Sequence, residues 1–119
     1  MIKTKNIHIK TKIPAPGTTN ILKLISKYES RSMHGQLPIV WKKAKNFNIF
    51  DLKGNKFIDF TSTIFVTNIG HSNKNLKRKL IELIKEDLLH SYAYANKIKL
   101  KNIKKLISMT NGDFEKVFL

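Results

Sequence analysis

Between Pro38 and Phe60 the sequence changes rhythm in a way that restricts the fold. Ile39-Val40-Trp41, then Phe47, Ile49 and Asp51, then Phe57-Ile58-Asp59-Phe60 place aromatic and branched side chains at intervals too short for the 3.6-residue repeat of a helix. These segments read as strands. Asp51-Leu-Lys-Gly54-Asn55 separates the second from the third, and it supplies an Asx former and a glycine free to take positive φ, so that pair reads as a hairpin in a small antiparallel sheet.

The flanks read as helices. Lys12-Ile-Pro-Ala-Pro-Gly17 holds two prolines and a glycine, which exclude a helix and make that stretch an arm or linker. From a cap at Thr18 or Thr19, Ile21, Leu24, Ile25 and Tyr28 recur at helical spacing to about Ser30. After Gly70-His71, Ser72 or Asn73 can cap a helix whose stripe is Leu76, Leu80, Ile81, Ile84 and Leu88. A last helix is expected from Lys97 to Met109 with Leu100, Ile103, Leu106 and Ile107 inward, stopped by Asn111-Gly112. Lys116-Val-Phe-Leu119 then reads as the opening of a buried strand, so the chain is expected to be truncated there.

Charge raises a competing reading. The chain has 23 Lys and Arg against 8 Asp and Glu, a net charge of +15, which on its own fits a nucleic-acid or anionic-surface partner with Tyr92 and Tyr94 stacking on bases. Only Arg31 and Arg78 are arginines, however, and bidentate recognition of phosphates and base edges favours Arg over Lys. Lysine, asparagine and isoleucine are enriched together, the mark of a compositional bias, so a nucleic-acid partner is disfavoured. There is no cysteine, hence no disulfide framework or thiolate nucleophile. No stretch has the shape of a secretory signal or approaches the ~18 apolar residues of a membrane span. A soluble, cytoplasmic protein is expected, with no membrane partner.

Little chemistry is visible in single residues. His8, His34, His71 and His90 are widely spaced without companions at metal-ligand spacing, so no metal site is expected and solvated or packing roles are. Asp51 and Asp59 read as a turn former and a strand-edge hydrogen-bonding residue, not as an acid/base pair. Phosphate-loop, dinucleotide and nucleophile-elbow motifs are absent. The segment with most potential is Thr61 to His71, where hydroxyl and amide side chains interleave with apolar ones between a strand and a helix N-terminus; such a loop can line a pocket.

Taken in order, Trp41-x-x-Ala44, Phe50-Asp51-x-x-Gly54-Asn-Lys-Phe-Ile-Asp59-Phe60, Thr61-Ser-Thr-Ile-Phe-Val-Thr-Asn-Ile-Gly-His71, Leu88-Leu-His90-Ser-Tyr92 and Lys116-Val-Phe-Leu119 resemble the beginning of class III pyridoxal-phosphate-dependent aminotransferases. Lys12-Ile-Pro-Ala-Pro-Gly17 resembles the arm of 4-aminobutyrate aminotransferase-like members. The resemblance implies an α/β, fold type I chain in which residues 1–17 are the arm and residues 18–119 carry the small-domain helix and sheet and the helices leading into the large domain. It implies an amino-group transfer from an amine or ω-amino acid to a keto acid, pyridoxal 5'-phosphate as cofactor, and a homodimer; an aminomutase or decarboxylase of the same class is the alternative. The Schiff-base lysine, the pyridinium aspartate and the phosphate-binding Gly-Ser segment of such enzymes match nothing here, so no catalytic or cofactor-binding residue is expected in this chain, and these residues alone are expected to be inactive and prone to self-association. The substrate side chain is expected at Ile64 and Phe65, then Val66, with Tyr92 and Tyr94 after them. Two departures stand out: Thr63 occupies a position the family gives to glycine, and Lys74 follows Gly70-His71-Ser72-Asn73 where the family has proline.

Overall fold

A computed structural model of the chain describes residues 1–33 and 37–119; His34 lies outside them. It divides into two compact units, residues 1–78 and 79–119.

The first unit is built on a five-stranded antiparallel sheet in the order β1-β2-β5-β4-β3. Its strands are β1 (Ile2–Lys3), β2 (His8–Ile9), β3 (Trp41–Lys45), β4 (Asn48–Asp51) and β5 (Lys56–Ile58). The β4–β5 hairpin forms about the Asp51–Asn55 turn as its residues predict, with Ile49 opposite Phe57 and Gly54 at φ 75°. The third strand differs from expectation. It starts only at Trp41, because Ile39 follows Pro38 into a tight turn that bonds its N–H to the Leu37 carbonyl, and Phe47 sits in the two-residue turn between β3 and β4 and not in a strand.

The alternation of Met1 to Lys10, read as part of a free arm, is structural. Ile2 pairs with Ile9, Lys3 with His8, and His8 with Lys56, so the first ten residues extend the sheet edge. One residue fixes them there. Asn55 is completely buried; its Oδ1 accepts from the N–H of Lys10 (2.6 Å) and Thr11 (3.1 Å), and its Nδ2 donates to Thr11 Oγ1 (2.8 Å) and Asp51 Oδ2 (2.6 Å). Asp51 Oδ1 accepts from the N–H of Lys53 and Asn55, both at 2.9 Å. Asn48 adds bonds from Nδ2 to the Asn6 and Phe57 carbonyls. Only Ala15 and Ile49 are buried apolar residues among those described, so this unit is held by satisfied polar corners as much as by an oily core.

Helix α1 (Thr18–Tyr28) follows the Ile13-Pro14 bend. Its cap position is Gly17, at φ 91°, not Thr18 or Thr19: the chain enters through a left-handed turn that glycine takes without strain, which leaves Thr18 buried inside the helix. Beyond β5 comes a four-residue helical turn, α2 (Ser62–Phe65), and then α3 (Lys74–Lys85), which crosses from the first unit into the second. Asn73 caps α3, its Oδ1 accepting from the N–H of Asn75 and Leu76. Lys74 is therefore the first helical residue, a position whose N–H has no helical partner, and a lysine there leaves the cap intact where a proline would be equally suited.

In the second unit α3 ends at Lys85, short of Leu88, and α4 (Lys97–Ser108) begins at Asn96, whose Oδ1 accepts from Lys99 N–H at 2.8 Å. Thr110 to Gly112 close it, the last two residues at positive φ. Leu76, Leu80, Ile81 and Ile84 on α3 and Leu100 and Leu106 on α4 remain exposed, so the predicted apolar stripes exist but are uncovered. Lys116 to Leu119 form no strand: an isolated extended run has no ladder to join, and the described residues offer it none.

Candidate functional site

The end of β5 and the start of α3 meet at a pair of side chains. His71 Nε2 lies 2.7 Å from Asp59 Oδ2, and the two side chains are only 9% and 6% exposed. Three further donors reach the carboxylate: Thr61 N–H (3.2 Å) and Thr61 Oγ1 (3.0 Å) at Oδ1, and Thr63 Oγ1 (3.2 Å) at Oδ2. Burial raises the Asp59 carboxyl pKa, but the hydrogen bonds from His71, Thr61 and Thr63 outweigh it and hold the group below its ordinary value. An ionised carboxylate only accepts, so His71 must carry its proton on Nε2.

His71 is fixed from three sides. Its backbone exchanges two hydrogen bonds with Asn46, N to O at 2.6 Å and 2.9 Å, and its ring meets the Trp41 indole edge-on at 5.6 Å. Gly70 is required for this approach. It stands at φ 83°, and a Cβ there would come within 3.4 Å of the Asn46 backbone. Gly70-His71 is thus the joint that brings the loop back to the β3–β4 turn. A packing role was expected for His71, and the structure adds a specific partner: the signal was the two motif ends, Asp59 and Gly70-His71, read separately.

Between these anchors the loop turns through α2 with the wrong hand. Ser62, Thr63, Ile64 and Phe65 all have φ between 48° and 67°. The turn is closed by Phe65 N–H to Thr61 O (2.8 Å) and by Val66 and Thr67 N–H to Ser62 O (2.9 Å each). A left-handed residue other than glycine costs about 1–2 kcal/mol, so the turn carries strain at each of these four positions.

Under the loop lies an open concavity of about 320 Å³ lined by Asn46, Phe47, Asp59, Ser62, Thr67 and His71 among others. The substrate candidates stand elsewhere: Ile64, Phe65 and Val66 project from the outer side of the loop, 68%, 78% and 78% exposed, and do not line this hollow. Tyr92 and Tyr94 lie in the second unit and are exposed as well. Among the described residues no three metal-ligating side chains converge, and no helix is long and apolar enough to cross a membrane.

Comparison with known proteins places this geometry. The profile of the family Aminotransferase class-III matches residues 29–119. Diaminobutyrate–2-oxoglutarate transaminase of Marinococcus halophilus is 39% identical over 83 residues, 67% of this chain and 19% of that protein. The crystal structure of acetylornithine aminotransferase from Elizabethkingia anophelis superposes with a TM-score of 0.72 at 25% identity, over 83% of this chain and 25% of that one. Taurine:2-oxoglutarate aminotransferase from Bifidobacterium kashiwanohense, solved in complex with PLP and glutamate, shares the fold at a TM-score of 0.70 and 24% identity, over 83% of this chain and 23% of that one. The chain therefore spans about a fifth of the length of the curated relative and a quarter or less of the solved structures. With the family profile matching three quarters of its residues and the solved structures sharing its fold, the chain belongs to the class III aminotransferases, enzymes of the α/β, fold type I architecture whose cofactor is pyridoxal phosphate.

Proposed function

We infer that these residues are the amino-terminal segment of a transaminase that moves an amino group from an amine or ω-amino acid, 4-aminobutyrate being one such donor, to a keto acid, within a cytoplasmic homodimer. The observation that carries the reading is the family match across residues 29–119. Relatives named for diaminobutyrate and acetylornithine support an amino-acid donor, and the first names 2-oxoglutarate as acceptor.

Pyridoxal phosphate supplies the electron sink for such a transfer, and it needs a lysine amine, a carboxylate for its ring nitrogen and a nest of donors for its phosphate. The residues here do not fit that list. The concavity beside Asp59 has no lysine in its lining, and the Asp59 carboxylate is already engaged by His71, Thr61 and Thr63. This segment's own work is different: it presents Ile64, Phe65 and Val66 on a fixed loop, where they contact the donor's carbon chain, and it leaves the cofactor's ligands to residues outside it.

The test is to read the coding sequence past Leu119 and to assay the encoded protein with pyridoxal phosphate, 2-oxoglutarate and three donors, 4-aminobutyrate, diaminobutyrate and acetylornithine. An open frame with glutamate formed from at least one donor supports the reading. Failure with every donor in a protein that binds the cofactor overturns it. The 119 residues alone are expected to form no Schiff base with the cofactor and to produce no glutamate.

A further inference from the structure

We propose that Asp59 is a positioning residue: its carboxylate, with His71 as its second anchor, is the clamp that imposes the left-handed turn on residues 62–65 and thereby sets where Ile64, Phe65 and Val66 point. The first observation is one of energy. Four successive non-glycine residues occupy the left-handed backbone region, which a residue with a Cβ enters only at an energetic cost. The turn recovers nothing by burial, since Phe60, Ile64, Phe65 and Val66 are all well exposed. Something else must select it, and the loop's side-chain bonds converge on a single group. Thr61 gives Asp59 two hydrogen bonds and Thr63 gives it one from inside the turn, while His71 ties the same carboxylate to the loop's far end. Hydrogen bonds to a charged acceptor are stronger than those between neutral groups, so four of them on one carboxylate can select a strained turn.

The second observation is rigidity on the anchor side. Asp59 N–H donates to the Phe47 carbonyl, His71 is paired through its backbone to Asn46, and Asn46 and Phe47 form the two-residue β3–β4 turn. Both jaws of the clamp are thus mounted on one turn of the sheet, and the loop between them has no other side-chain tie to the sheet among the bonds described. Asp59 touches neither the exposed apolar residues nor any reacting atom; it acts through the turn. That it thereby shapes the donor site rests on the transaminase reading above, whereas its control of the loop does not.

The two claims separate in one set of variants. Amide hydrogen exchange on the complete encoded protein reads the loop directly, through the Phe65, Val66 and Thr67 N–H groups that close the turn, with the β4–β5 amides as internal reference. In Asp59→Asn the new amide sets an N–H against the Thr63 or His71 donor, and the three loop amides are expected to exchange about tenfold faster or more while β4–β5 protection stays unchanged. Thr63→Val, which removes the hydroxyl's bond to Asp59 and its longer contact with Thr67 Oγ1 (3.5 Å) while keeping the shape, is expected to move the same amides by a smaller factor, and it keeps the test open if Asp59→Asn fails to fold. Loop amides that do not respond, or an equal acceleration of the β4–β5 amides, overturn the clamp. In the complete enzyme Asp59→Asn is expected to raise KM for the donor several-fold with kcat little changed. A responsive loop with an unmoved KM overturns the link between the clamp and the donor site and leaves both the clamp and the transaminase reading standing.

Discussion

The β4–β5 hairpin carries an aspartate at each end, and the two do opposite kinds of work. Asp51 faces into the fold: with Asn55 it ties the hairpin turn to Lys10 and Thr11, 45 and 44 positions away from Asn55 in the chain, and every bond of that corner is made to a group that needs it. Asp59 faces a loop that gives back little burial and takes up backbone strain. The first corner spends its hydrogen bonds on stability. The second uses a comparable number to hold a shape that is unfavourable by itself, and such expenditure is the mark of a functional segment. Substitutions at the two ends should therefore separate into those that unfold the unit and those that release the loop.

Asn55→Ala should give the largest effect. It removes four bonds in a fully buried setting and strands Asp51 Oδ2 and two backbone N–H groups, each a penalty of about 1–3 kcal/mol. A loss of about 3–5 kcal/mol is expected, read as a fall in the urea midpoint, together with release of residues 1–11 to proteolysis. A drop under about 1 kcal/mol would show that the arm docks by other means and would erase the contrast. At the other end Gly70→Ala meets both a positive φ and a 3.4 Å approach to Asn46, so about 1–3 kcal/mol is expected, with the loss confined to the Asn46–His71 bridge and the loop.

How far these features were legible differs by scale. The β4–β5 hairpin, α1, α3 and α4 are written in local patterns, Asp51 to Asn55 for the turn and apolar spacing for the helices, and local patterns survive in a chain that has little core to override them. What failed to show was long-range. Nothing near Lys10 announces that its N–H will seek Asn55, so Met1 to Lys10 read as an arm; nothing near Phe47 says that Asn46 will take φ 53° and put Phe47 in a turn. At the site, Asp59, the loop and Gly70-His71 were each visible as motif residues, but a 12-residue separation hid the fact that the ends bond to each other. The stripes of α3 and α4 were read correctly as apolar, but the inward placement expected on α4 holds only for Ile103 and Ile107, which are half-buried while Leu100 and Leu106 are exposed, since periodicity names a face without naming what covers it.

Acid probes the Asp59 end of the comparison. The folded-state carboxyl of Asp59 lies below its ordinary value of 3.8. Its contribution to stability is therefore fully present above about pH 3.8 and is lost as the pH falls through the lower folded-state value. The advantage of the wild type over Asp59→Asn should be constant near neutrality and shrink below about pH 4, measured by urea denaturation at a series of pH values. An advantage that stays constant below about pH 4 would mean that the ionised form of Asp59 is not what holds the joint.

The smallest effect is the most discriminating, because it predicts a gain. Ile64 is β-branched, exposed and at φ 56°, ψ 55°, a conformation its side chain opposes. Ile64→Gly relieves about 1–2 kcal/mol of left-handed strain and costs up to ~1 kcal/mol of unfolded-state entropy, so stability should hold or rise by up to about 1 kcal/mol. Thr63→Gly relieves the same strain and carries the same entropy cost, but it also forfeits the bonds from Thr63 Oγ1 to Asp59 and Thr67, so a net loss of about 1 kcal/mol is expected. If Ile64→Gly also weakens donor binding in the complete enzyme, the strain at that position is retained for the apolar contact that Ile64 makes with substrate. If binding is unchanged, the loop's shape matters and the isoleucine on it does not, and Phe65 and Val66 become the side chains to substitute next.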